Sequence, residues 1–215
     1  MHMHSSRGSR RRQLSAAIAA AFLAMSALSL APAASAADGA PVSVEGQAVP
    51  ATATVAGTEL KLNGVGIRAW TVYKMYVAAL YLPKKATTVA DVVGQQGAKR
   101  VQLRILLSVG GASGYLADAF TGGIKKRVSP EQFAAMKDRV DAFDKLVRSL
   151  DTKKGDLVDL DYVPDAGLVL SVNGKPAGKP VPGADLYGAM LKIWVGDDAK
   201  DKPLRAAMLG GPPND

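Results

Sequence analysis

The sequence predicts an α+β fold with a mostly antiparallel sheet, and three observations predict it. The aromatic and β-branched run from Ile67 to Leu82 closes at Pro83 and is too long for one typical strand, so it reads as two strands joined by a bend near Ala69–Thr71. The apolar run Leu168–Val172 meets Asn173-Gly174, a type I′ hairpin signal that pairs neighbouring strands antiparallel. Helical and strand patterns follow one another without strict βαβ alternation, which disfavours a parallel sheet.

The first 36 residues read as an export signal. Arg7, Arg10, Arg11 and Arg12 form a basic start without an acid, Leu14 to Leu30 is apolar apart from three serines, and Ala34-Ser35-Ala36 is a small-x-small cleavage pattern. Ser9-Arg10-Arg11-Arg12-Gln13-Leu14 also resembles a twin-arginine signal, with Gln13 at the usual large apolar position, so both export routes stay open. Cleavage after Ala36 leaves one domain over 37–215 and a periplasmic destination. It removes both histidines, His2 and His4, and lowers the net charge from +8 to +4.

The mature chain opens small and polar, with Val42 and Val44 alternating. Leu60-Lys61-Leu62 begins the first long strand, and Gly64-Val65-Gly66 leads into the Ile67–Leu82 pair. Thr88–Gln96 predicts a short helix with Val89, Val92 and Val93 on one side, Val101–Leu107 a strand, and Ser113–Arg127 a helix softened at Gly122-Gly123. Ser129, Pro130 and Gln132 make a capping-box start, after which Phe133, Met136, Val140, Phe143, Val147 and Leu150 form one apolar stripe of core type. Val158, Leu160 and Tyr162 alternate with Asp159 and Asp161, which predicts a strand with a solvated acidic face. A return strand is expected from Lys175 to Val181, and helices over Asp185–Val195 and Pro203–Leu209.

Composition removes many chemistries. There is no Cys, hence no disulfide, thiolate nucleophile or cysteine-ligated zinc, and a mature chain without His has no Ser-His or Cys-His machinery. No nucleotide-binding glycine motif occurs, and Asp156, Asp159 and Asp161 lack the glycine and closing Glu of a calcium loop. No basic stripe interleaved with aromatics is present, so nucleic acid is not an expected partner, and no mature segment is long and apolar enough to span a bilayer. No cofactor or metal is expected. Asp197, Asp198 and Asp201 read as surface residues between the last helices.

Arg68 stands out because it lies in the most apolar stretch, where a charge must be exposed or paired. One reading is a solvent-facing turn residue; the other is a guanidinium fork aimed at an anionic ligand group. Tyr76 lies eight residues on. A turn between them lets both side chains meet across adjacent strands, so that the Tyr76 hydroxyl reaches the same anion. Tyr73 and Tyr81 have the opposite parity and read as core aromatics.

Gly64-Val65-Gly66-Ile67-Arg68, followed by Tyr76-Val77-Ala78-Ala79-Leu80-Tyr81-Leu82-Pro83, resembles the first block of the chalcone isomerase-like family. Gly183–Asp197, with Pro203-Leu204-Arg205 and Leu209-Gly210 behind it, resembles that family's closing helices, and the likeness spans Val44 to Gly211. It is greatest to the small exported bacterial branch. The resemblance implies an open-faced β-sandwich, a large antiparallel sheet covered by helices with a ligand cleft between. The family's isomerases close a flavanone ring on a phenolic substrate, and its fatty-acid binders hold a carboxylate with an Arg and a Tyr. Arg68 matches the family Arg, Tyr76 the Thr or Tyr position, and Tyr115 the isomerases' helix Tyr. Gly122 falls where they have Asn, and Ile193 near their last polar residue. These departures leave the anion-binding pair better matched than the catalytic set. The expected function is binding of a fatty acid or similar amphipathic carboxylate, with Arg68, Tyr76 and Tyr115 at the ligand. Two alternatives stand beside it: an intramolecular lyase of the chalcone isomerase type on a phenolic ligand, with those three residues catalytic, and a non-catalytic envelope interaction protein.

Overall fold

The computed structural model describes residues 39–107 and 112–214; the expected export signal lies outside them. Two short strands, β1 (Val42–Val44) and β2 (Gln47–Val49), form a hairpin of their own. The main sheet has seven strands in sequential order, every neighbour antiparallel: β3 (Thr52–Val55), β4 (Thr58–Trp70), β5 (Tyr73–Leu82), β6 (Lys99–Ile105), β7 (Leu157–Val163), β8 (Gly167–Val172) and β9 (Lys175–Pro176). The helices are α1 (Val89–Gly94), α2 (Ala112–Lys125), α3 (Pro130–Arg148), α4 (Ala184–Val195) and α5 (Lys202–Met208). This is the α+β architecture the sequence predicts.

The long run splits as expected. The bend falls at Thr71-Val72, between paired Trp70 and Tyr73, and Thr71 takes a positive φ of 54°, an uncommon conformation for a β-branched residue. The predicted capping box closes α3 at Ser129 and Gln132 in both directions. Met136, Val140, Phe143 and Val147 then bury the stripe in the main core, with α3 packed chiefly on α2.

The two faces of the sheet carry separate cores. On one, Ala78, Leu80, Val101, Leu103, Val158 and Leu160 meet α2 to α5. On the other, Leu62, Val65, Ile67, Val77, Ala79 and Tyr81 meet Val44, Val49 and Val55 from β1 to β3, because the sheet curls until β3 reaches β6.

Three expectations are corrected, the first by that curl. Asp159 and Asp161 are buried rather than solvated, since their face is enclosed; Arg100 grips Asp161 through Nε and Nη2 at 2.6 Å each, and Gln102 donates to Asp159 at 2.8 Å. The return strand after Asn173-Gly174 is only Lys175–Pro176, plus a lone bridge from Val181 to Leu168. Pro176 and Pro180 lack the N–H a ladder needs, and Gly178 turns the chain at a φ of 89°. Tyr81 is core as expected, but Tyr73 is 55% exposed, because a register shift at Arg68/Ala69 ends the parity argument before the hairpin tip.

Candidate functional site

Arg68 and Tyr76 are direct cross-strand partners on β4 and β5. A register shift between Leu62 and Gly64 sets which face each presents. Beyond it, Gly64, Gly66 and Arg68 share the helix-covered face with Tyr76, Ala78 and Leu80. The two glycines let α5 lie against the strand backbone. A Cβ on Gly64 would fall 2.0 Å from the Ala207 carbonyl oxygen, and one on Gly66 would fall 2.0 Å from Asn214 Oδ1. Asn214 holds both backbone groups of Ile67, accepting from its N–H at 3.1 Å and donating to its carbonyl at 3.0 Å. Asn63, buried, accepts from the Ala86 N–H and donates to the Ala86 and Met208 carbonyls. The end of α5 and the tail are thereby fixed on β4.

This docking brings Asp201 to Arg68. Asp201 is the N-cap of α5: Oδ1 accepts from the Leu204 N–H at 3.0 Å, while Oδ2 accepts from Arg68 Nη1 at 3.1 Å. It is a site residue, not the surface linker expected from the sequence. The guanidinium meets one acceptor among the described residues, so its capacity for a bidentate grip is only partly used. The ion pair is part-buried, with the Arg68 side chain 30% exposed.

Tyr76 is held from α4. Trp194 Nε1 donates to its hydroxyl oxygen at 3.2 Å, and Trp194 in turn stands edge-on to Phe120 of α2, centroids 5.8 Å apart. The Tyr76 proton goes to no acceptor among the described residues. Burial pushes the hydroxyl above its ordinary range, and Asp201 adds to that, outweighing the Trp194 hydrogen bond and the nearby Arg68 charge that favour ionisation. Tyr76 is therefore a neutral donor at physiological pH. Together a guanidinium and a free O–H lie under one edge of the helical layer, a pairing suited to a carboxylate or phenolate oxygen.

Tyr115 makes no hydrogen bond to Arg68 or Tyr76 among the described residues. It lies on the first turns of α2, 72% exposed. Gly122 has open space where a side chain would stand, and Ile193 packs against Gly123. The two residues sequence reasoning missed, Asp201 and Trp194, each left a signal. Asp201 precedes Lys202-Pro203 as a helix cap does, and Trp194 is a buried aromatic whose N–H needs a partner.

Two cavities lie elsewhere. One of about 70 Å³ between α1 and α4 is lined by Lys99, Tyr162, Tyr187 and Leu191; Lys99 bonds the Gln95 carbonyl, stands 5.3 Å from the Tyr162 ring centroid, and has its pKa lowered by burial. The other, about 470 Å³, is an open groove along Lys84–Ala86 and Ala90–Gln95. Among the described residues no cluster of acids or histidines is arranged to hold a metal, and no helix is long and apolar enough to cross a membrane.

Comparison with known proteins bears on both fold and site. The model of a family described as chalcone isomerase-like matches residues 41–210. The crystal structure of a fatty-acid binding protein from Arabidopsis thaliana superposes with a TM-score of 0.62 at 18% identity, covering 78% of this chain and 95% of that one. No curated protein matches the sequence significantly.

Proposed function

The chain belongs to the chalcone isomerase-like family, and from that premise we propose that it binds an amphipathic carboxylate of the fatty-acid class between the sheet and its helices. Arg68 grips the anionic head, Tyr76 adds a hydrogen bond, and apolar burial supplies most of the affinity, at about 25 cal/mol per Å² before association costs. We place this function in the periplasm, on a single domain spanning 37–215, on the strength of the leader pattern in residues 1–36. The observation that carries the reading is the cross-strand juxtaposition of Arg68 and Tyr76 beneath the helices. The fatty-acid binding protein that shares the fold supports the ligand class.

Asp201 occupies one donor of the guanidinium and sets a second negative charge beside it, so a ligand carboxylate takes the remaining donors against that charge. The exposed Tyr115 and the side-chain-free Gly122 leave the isomerase set incomplete, which favours binding over turnover.

A second reading has its own support. Arg68 already pairs with Asp201, Trp194 packs on Phe120, and neither described cavity is lined by Arg68 or Tyr76, as a non-catalytic interaction protein of the envelope would have it.

Native mass spectrometry of the protein taken from its own cells, with extraction of bound small molecules, tests the choice. A co-purifying fatty acid is expected. Titration with long-chain carboxylates and matching alcohols then tests the clamp. Arg68→Ala is expected to weaken the carboxylates about 10- to 100-fold, the worth of a charge-assisted hydrogen bond, and the alcohols hardly at all. Asp201→Asn keeps a good helix cap while removing the competing charge, and is expected to tighten carboxylates several-fold. An empty protein that takes up no carboxylate even as Asp201→Asn supports the second reading. Equal weakening of acid and alcohol in Arg68→Ala refutes the clamp.

A further inference from the structure

The large hydrophobic side chains exposed among the described residues are mostly gathered in one place. They are Trp70 (68%), Val72 (85%), Tyr73 (55%) and Tyr115 (72%). Three of them are the tip of the β4–β5 hairpin, which begins two residues after Arg68. Strand β6 runs beside β5 to Ile105, opposite Tyr76, so the end of β6 and the turns at the start of β7 and between β8 and β9 share the tip's end of the sheet. Solvent-exposed apolar groups gathered in one place carry a cost that a monomer without a partner for them has no reason to keep.

The same end carries cations without counter-charges. Among the described residues Arg104 donates to the Gly155 carbonyl and to no carboxylate, and Lys154 and Lys175 have no carboxylate at ion-pair distance. Lys74 is already paired with Glu45, and Lys153 with Asp151. Asp156, the acid beside them, takes its hydrogen bonds from Asn173 and the Lys153 amide.

Tryptophan and tyrosine have an apolar body and a polar edge, the combination that prefers the headgroup level of a bilayer, and flanking lysines and arginines attract anionic headgroups. A protein partner would more often present a pocket for a packed aromatic anchor; here the aromatics project from a hairpin tip past the end of the sheet, a shape made for shallow insertion. We infer that this end of the molecule is a membrane-docking surface, with Trp70, Val72 and Tyr73 inserting at the interface of an anionic lipid bilayer and Arg104, Lys154 and Lys175 facing its headgroups. The inference concerns a surface, not the ligand site, and stands or falls independently of fatty-acid binding.

The chain's two tryptophans make the test local, because Trp194 is buried and Trp70 is exposed. The chain from Ala37 onward, the form the proposed cleavage leaves, is mixed with vesicles of zwitterionic lipid alone or with one third phosphatidylglycerol, and the emission of Trp70 is taken as the difference between the wild type and Trp70→Phe. Expected is a blue shift and quenching by acyl-brominated lipid on the anionic vesicles. Replacing Trp70, Val72 and Tyr73 together by Ser should lower partition about tenfold or more with the melting temperature unchanged, since these side chains are in water. Lys154→Gln and Lys175→Gln should each lower it about fivefold on anionic vesicles only. Vesicle binding that leaves Trp70 emission unchanged would show attachment through another part of the chain and overturn the inference, as would no binding at all. Equal partition onto zwitterionic vesicles overturns the choice of an anionic surface. Shielding of Trp70 that grows with protein concentration without lipid assigns the tip to a second copy of the chain and overturns it too.

Discussion

Arg68 and Tyr76 were legible as a pair because strand parity and a turn between them suffice to bring them face to face. Asp201 was not, since its partner lies 133 residues away and only the docking of α5 on glycine-bared β4 joins them. Tyr81 shows a residue whose parity reading held and whose environment sets a pH response. Its hydroxyl bonds the Pro50 carbonyl at 3.1 Å, and burial pushes its pKa from 10 up to about 12. A phenol that holds its proton longer when folded stabilises the fold fully below pH 10 and loses that contribution as pH rises toward 12. Wild-type stability is therefore expected to fall across pH 10–12. Tyr81→Phe should be less stable at neutral pH by about 1 kcal/mol, the worth of one hydrogen bond, and should show a flatter alkaline limb in denaturant titrations.

At the scale of elements, boundaries set by local chemistry could be read directly. Ser129 and Gln132 cap α3, and Thr88 caps α1 by accepting from the Asp91 N–H. The strand after Asn173-Gly174 was overextended because the hairpin signal fixes how a return strand starts but not how far it pairs; the prolines and Gly178 stop it. What holds β4 in place is long-range. Asn63 satisfies three backbone groups from the Ala86 loop and the end of α5 within the interior. Asn63→Ala leaves those groups buried without partners and is expected to cost about 2–4 kcal/mol, read from urea midpoints. The loss should exceed that of Ser129→Ala, about 1 kcal/mol for an exposed cap. Equal losses would mean that the Asn63 node is dispensable.

For the whole molecule, the curl of the sheet matters most. It encloses a second core against β1–β3 and carries Arg100, Asp159 and Asp161 inside. Burial outweighs even the Arg100 pair and raises Asp161 above the usual carboxylate range, while the same carboxylates hold Arg100 charged. Arg100→Ala leaves two buried acids without their cation and is expected to cost about 3–5 kcal/mol near pH 7. The loss should shrink as pH falls and the acids take up protons, giving a variant relatively more stable in acid than at neutrality when thermal melts are compared. A loss independent of pH would place the role of Arg100 in packing alone.

The sequence by itself determined the antiparallel sheet, the bend in the long run, every helix, the capping of α3 and the Arg68–Tyr76 pair. Each depends on residues close in sequence or on one adjacent strand, where period, turn chemistry and capping act over a few ångströms. Only the tertiary structure decided that the acidic face of β7 is interior, that Asp201 and Trp194 reach Arg68 and Tyr76, and that Trp70, Val72 and Tyr73 stand exposed together at one hairpin tip. Those depend on which surfaces the curl and the docking of α4 and α5 bring together. Burial is a property of what lies opposite, and alternation along a strand shows two faces without showing which of them is covered.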